Sequence, residues 1–200
     1  LVVNRSVEAG DMQPQNWSSS GTVTEWATTY ARTGLRSLRI NVTNGNAEWN
    51  GTVKPIQAGY PYHVSFFFRG EVDSGQFILG IRWFSDTEGN TPPIGQGNVS
   101  IPVGTYSRWT GIQGSFTAPS GARSSQTVFS AVNGMGDVYG DDFEVRQPET
   151  WTKLLNGISL ALVTYIVSYY LLKMHFAPQV EKKGKIFSTG IGIFFLSWII

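Results

Sequence analysis

The segment that most limits how this chain can fold is LLNGISLALVTYIVSYYLL, Leu154 to Leu172, which is nineteen residues without Asp, Glu, Lys or Arg. At about 1.5 Å of rise per residue, a helix of that length nearly crosses a hydrocarbon layer of about 30 Å. Trp151 and Lys153 stand before it, and Tyr169, Tyr170, Lys173 and His175 close it. Aromatic and basic residues at both ends anchor a helix at two water interfaces. The sequence therefore predicts a transmembrane helix over 154–176, with a soluble body ahead of it.

Charge gives that helix a direction. Up to Thr150, ten basic residues face thirteen acids, a net of −3; from Trp151 on, five Lys face Glu181 alone, a net of +4. Basic residues collect on the cytoplasmic side, so the loop 177–185, with Lys182, Lys183 and Lys185, is expected inside and the body outside or lumenal. This places the chain in a cell or secretory-pathway membrane, with lipid as one partner. Residues 148–153 read as a short hinge. Residues 186–200 are uncharged and would make about 22 Å of helix, so they read as the start of a second span that continues past Ile200. A slightly acidic body argues against nucleic acid as a partner.

Residues 1–147 hold no Cys, so no disulfide staples the body and its core must hold it alone. Short strands are expected at Val2–Glu8, Thr22–Thr28, Ser37–Val42, Ala47–Val53, Tyr62–Arg69, Gln76–Ser85, Asn98–Val103, Trp109–Phe116, Thr127–Val132 and Asp137–Arg146, with Gly, Pro, Asn and Ser between them. Period-two alternation is clearest at Tyr62, Val64, Phe66 and Phe68. Many short strands and no helical period imply an all-β sandwich or jelly roll. Five N-x-[ST] sites, Asn4, Asn16, Asn41, Asn50 and Asn98, lie in this body, where about two are expected by chance; they read as glycosylation acceptors on an exported domain.

An ordered set of motifs resembles carbohydrate-binding modules of the family 4/9-like type. Asn4-Arg-Ser-Val-Glu8-Ala-Gly10 is similar to their N-x-x-F-E-x-G opening, with Val7 at the Phe position. Thr33-Gly34-Leu-Arg-Ser37-Leu38-Arg-Ile40 resembles S-G-x-x-S-L-x-I. Trp49-Asn-Gly51, Ile56-Gln-Ala-Gly59-Tyr60 and Tyr62-His-Val-Ser-Phe66 follow in order, then Trp109 with Phe116-Thr-Ala-Pro119-Ser-Gly-Ala122, and last Gly136-Asp-Val-Tyr139-Gly-Asp141-Asp142-Phe143. The resemblance covers about residues 1–146. It implies a two-sheet jelly roll and a structural Ca²⁺ held by Glu8, Asp141 or Asp142, and backbone oxygens near Gly34–Arg36; hard oxygen ligands suit that ion. It says less about ligand, because a fold hosts many functions.

Flat aromatic rings with polar groups between them suit sugar rings. Trp26, Trp49, His63, Phe67, Arg69, Arg82 and Phe84 are therefore the expected ligand-binding face; packing aromatics are the plain alternative. Catalysis has little support. His63 is the only His of the body, no Cys exists, and Asp141 and Asp142 are neighbours that point to opposite faces of a strand. The membrane part carries no intramembrane charge, and its small residues Gly157, Ser159, Ala161, Gly190 and Gly192 allow close helix packing against other subunits. The sequence thus points to a membrane-anchored, non-catalytic module that recognises a glycan or a glycosylated protein. The alternatives are an accessory subunit of a membrane complex, or the front part of a longer membrane-bound carbohydrate-active enzyme.

Overall fold

The structure is a computed structural model that describes residues 6–21, 23–147, 159–168, 170 and 174. The chain divides into two compact units, Leu1–Pro148 and Glu149–Ile200.

The first unit is built from eight strands. They are β1 (Trp17–Ser20), β2 (Thr24–Ala27), β3 (Ser37–Gly51), β4 (Lys54–Pro55), β5 (Pro61–Phe84), β6 (Gly95–Ile101), β7 (Gly104–Thr117) and β8 (Ser124–Arg146). All pairings are antiparallel. Three long strands, β3, β8 and β5, lie side by side, and each passes through two layers. The front layer runs β1, late β3, early β8, late β5, β6. The back layer runs β2, early β3, late β8, early β5, β7.

Six of the expected strands are therefore three. Ser37–Val42 joins Ala47–Val53, Tyr62–Arg69 joins Gln76–Ser85, and Thr127–Val132 joins Asp137–Arg146. The Gly- and Asn-rich breaks between them are bulges at which pairing shifts register and then resumes. A bulge adds a residue to one strand and bends it. Here it also reverses which side chains face the core: Tyr62, Val64, Phe66 and Phe68 are buried before the bend of β5, and Phe77, Leu79, Ile81 and Trp83 after it. Asn44, Gly75 and Asn133 sit at the three bends with φ of 141°, 75° and 46°. A Cβ on Gly75 would run into the backbone of Asn133 and Gly134, so only glycine fits there. β1 was not expected from sequence, and Ser6–Ala9 is not a strand.

Rings from the two layers meet in the middle. Phe66 of the back layer lies 5.6 Å from Phe129 of the front layer, Phe129 lies 5.9 Å from Phe143, and Tyr62 lies 5.4 Å from Trp83. Tilted aromatic pairs at these spacings add to plain area burial. With no disulfide, this aromatic centre carries the stability of the body.

In the second unit, residues 159–168, 170 and 174 are helical. Leu160, Val163 and Val167 on that helix are exposed. Among the described residues no helix is long and apolar enough to cross a membrane. The hinge 148–153, the remainder of 154–176, the loop 177–185 and the run 186–200 lie outside the described residues.

Phe66→Ala removes the ring that bridges the layers and is expected to cost about 3–5 kcal/mol of stability, with the wild-type fold retained at low denaturant. Urea unfolding followed by tryptophan fluorescence checks this, and a loss below about 1 kcal/mol would contradict a shared centre.

Candidate functional site

A groove of about 480 Å³ lies across the outer face of the front layer. Its walls and floor come from five strands, because the outward positions of late β5, early β8, late β3, β6 and β1 converge there. The Asn98 side chain covers Gly80. Register places Gly80 between Val128 and Asn98, and the Asn98 carboxamide oxygen lies where a Gly80 side chain would begin. On either side along β5 stand Ile78 and Arg82, both in the groove lining.

Arg82 reaches over β8 to Glu48 on β3. Its Nη1 donates to Glu48 Oε1 at 2.8 Å, and its Nη2 donates to Oε2. Nη1 also reaches Asn50 Oδ1 at 3.4 Å. A two-pronged Arg–carboxylate pair fixes both side chains in one plane. Gln76, Gln96, Asn98 and Ser130 surround it. The groove is thus electrically balanced and lined by amides, the two serines Ser20 and Ser130, and short apolar patches such as Ile78. Such a surface offers donors and acceptors at fixed spacing. No aromatic ring lines it among the described residues.

Of the residues expected to bind ligand, only Arg82 is here. Trp49 is 3% exposed, and its Nε1 donates to the Arg39 carbonyl at 3.0 Å; it packs the core and cannot present its ring. Phe84 is likewise 4% exposed. Trp26 is half-buried, donates to the Val7 carbonyl at 2.7 Å and is covered by the Arg36 guanidinium at 4.0 Å. His63, Phe67 and Arg69 belong to the outer face of the back layer, on the opposite side of the sandwich from the groove. The loop 30–36 covers part of that face. Arg32 stacks on Phe67 at 3.5 Å, and Tyr30 packs edge-on against Tyr139 at 5.0 Å with Arg69 over its ring at 4.0 Å. Glu48, Gln76, Gln96 and Ser130 were not foreseen. Their meeting depends on pairing between strands, which no local pattern in the sequence carries.

The sequons fall in varied places. Asn4 lies outside the described residues. Asn41 is exposed on β3; Asn16 has φ of 67° and its carbonyl accepts the Thr52 N–H at 2.9 Å. Asn50 is engaged by Arg82, and Asn98 lines the groove.

The acids implied as calcium ligands do gather at one locus, around the loop 30–36, but in a different role. Glu8 accepts the N–H groups of Leu35 and Arg36, each at 2.9 Å. Asp141 Oδ2 accepts those of Arg32 at 2.8 Å and Thr33 at 3.1 Å, while its Oδ1 accepts the N–H of Asp142 at 2.7 Å. Asp142 is held by the Arg32 guanidinium and by Thr33 Oγ1 at 2.5 Å. A cation site needs oxygens turned inward; here the loop turns N–H groups inward. Among the described residues, no three His, Cys, Asp or Glu are placed to hold a metal ion. As arranged, the residues do not fit calcium.

Two carboxyls are shifted in opposite directions. Burial pushes Asp141 up to about 6, although the N–H groups of Thr33, Arg32 and Asp142 favour its charge. For Asp86, desolvation acts upward, but hydrogen bonds from the Thr91 side chain and from the backbone of Thr91, Gly89 and Glu88 outweigh it and hold the group at about 2.

No family model matches the chain, and no curated protein matches it. Solved structures do. The chain is similar to the enzymatically active domain of bacteriophage CBA120 tailspike protein 4 at 16% identity and a TM-score of 0.54, over 73% of this chain but only 21% of that one. It is similar to a family 16 carbohydrate-binding module at 18% identity and a TM-score of 0.55, over 74% of this chain and 99% of the module. It is also similar to the CBM22-1 xylan-binding domain of Paenibacillus barcinonensis Xyn10C at 18% identity and a TM-score of 0.52, over 73% and 93%. The fold is therefore the β-sandwich jelly roll of carbohydrate-binding modules.

The raised Asp141 value has a definite sign. The folded state holds this proton more tightly than the unfolded chain, whose carboxyl titrates near 3.8. Its stability contribution is present in full below about pH 4 and is lost as pH rises through about 6. Asp86 acts the other way and lower, its contribution being lost as pH falls from about 4 toward about 2. Urea unfolding of Asp141→Asn is expected to lose the wild-type slope between about pH 4 and about pH 6; an unchanged slope would assign it elsewhere.

Proposed function

We propose that the groove lined by Arg82 and Glu48 binds an uncharged polysaccharide chain, and that the body is a recognition module without catalysis of its own. The observation that carries this is the groove itself: it is about 480 Å³, open and balanced in charge, and its Arg82–Glu48 pair and amides are set to exchange hydrogen bonds with hydroxyls. Support comes from the fold, which two solved carbohydrate-binding modules share over nearly their whole length, one of them described as xylan-binding. The one carboxylate in the groove lining, Glu48, is tied to Arg82, which suits positioning better than the facing acids of a glycosidase.

Membrane anchoring outside the cytosol completes the reading. The uncharged segment 154–172, the lysines that follow it and the exposed Leu160, Val163 and Val167 on the described helix all favour an apolar environment for that segment. The same surface suits lipid or the helices of neighbouring subunits.

Affinity electrophoresis against a panel of neutral plant and microbial polysaccharides tests the groove. Arg82→Met removes hydrogen bonds from a charged group, worth about 1.5–3 kcal/mol, so a loss of roughly tenfold to a hundredfold is expected. Failure of every polysaccharide to retard the chain, or full binding by Arg82→Met, would overturn the proposal. Separately, carbonate extraction of membranes is expected to leave the chain in the pellet; release into the supernatant would refute anchoring.

A further inference from the structure

We infer that this sandwich is locked by a metal-independent clamp, in which Arg32 and the backbone N–H groups of the loop 30–36 do the work that a calcium ion is expected to do in the sandwiches the sequence resembles. The clamp joins three distant parts of the chain: Glu8 before β1, the loop between β2 and β3, and Asp141–Asp142 near the end of β8. All six carboxylate oxygens of Glu8, Asp141 and Asp142 accept a hydrogen bond within it. Four N–H groups within five residues, those of Arg32, Thr33, Leu35 and Arg36, point at two carboxylates. Consecutive backbone N–H groups turned to one side form an anion-binding concavity. Gly34, with φ of 70°, makes the turn between the two halves, and a Cβ there would collide with the Glu8 carboxyl.

Positive charge enters the clamp through Arg32. Its guanidinium pairs with Asp142 and lies flat on Phe67 at 3.5 Å, so it is fixed by stacking as well as by charge. Thr33 Oγ1 supplies the second donor to Asp142. Asp142 has φ of 52°, a left-handed conformation that an L-residue adopts at a cost, and the hydrogen bond from its own N–H to Asp141 helps to hold it there. At the other side of the loop, Arg36 lies over Trp26, whose Nε1 holds the Val7 carbonyl beside Glu8. Two arginine–aromatic stacks thus flank the carboxylates. A divalent cation entering this locus would face N–H groups and a guanidinium, and each carboxylate would have to give up donors to bind it.

The test is thermal unfolding of the full chain in detergent, in millimolar calcium and in excess chelator, with calorimetric titration of calcium alongside. The clamp predicts superimposable melts and no binding heat. Arg32→Ala is expected to lower the melting temperature by several degrees, and Arg32→Lys is expected to recover part of the loss, since it restores charge without the flat stack. A saturable rise in wild-type melting temperature with calcium, abolished by Glu8→Gln or Asp142→Asn, would overturn the inference. So would an Arg32→Ala protein that melts like wild type. Should Arg32→Ala fail to fold, the wild-type calcium and chelator melts decide on their own.

Discussion

The first unit depends on three strands that each belong to both layers. β3, β5 and β8 bend at Asn44, Gly75 and Asn133, and each bend shifts the alternation so that apolar side chains face inward on both sides of it. Without that shift, one half of each strand would turn its aromatic residues to water. The bends therefore create the core, and the core fixes the layers. Everything of functional interest is a consequence. The groove lies on the outer face of one layer, the covered aromatic face on the outer face of the other, and the clamp at the join between the first residues, the loop 30–36 and the last strand.

The two outer faces show how similar residue types serve different ends. On the back layer, arginines lie on rings: Arg32 on Phe67, Arg69 on Tyr30, and Arg39 5.3 Å above Tyr139. Arg39 is also fixed by Asp137 and Glu25, and its guanidinium is held charged chiefly by the Asp137 hydrogen bonds. Burial in turn pushes the Tyr139 hydroxyl up. These contacts close the face. On the front layer, Arg82 is the arginine that lines the groove among the described residues, and Glu48 holds it. A shallow polar surface with hydrogen-bonding groups at set spacing is suited to hold a hydroxyl-rich chain and to release it.

Much of the fold was legible in the sequence, because alternation such as Tyr62, Val64, Phe66 and Phe68 is a local signal. The joins between strands were not, because Gly and Asn mark a bulge as readily as a loop. The face of an aromatic residue was hardest to read. Trp49 looked suited to stack on a sugar, yet its strand phase places it in the core; Phe84 has the outward phase of β5 and is buried all the same. The groove was invisible for a related reason: Glu48, Arg82 and Asn98 come from three strands and meet only through register. The acids at 8, 141 and 142 were expected as calcium ligands, and in the structure they accept hydrogen bonds around the loop 30–36. Their role was not legible, because it turns on whether the loop 30–36 offers carbonyls or N–H groups.

The central claim is that recognition belongs to the groove of the front layer and not to the aromatic face behind it. Amide chemical-shift mapping addresses this most directly, using fragments of whichever polysaccharide retards the chain most. The account predicts perturbations centred on Gln76, Ile78, Arg82, Gln96 and Asn98. Perturbations confined to His63, Phe67 and Arg69 would contradict it.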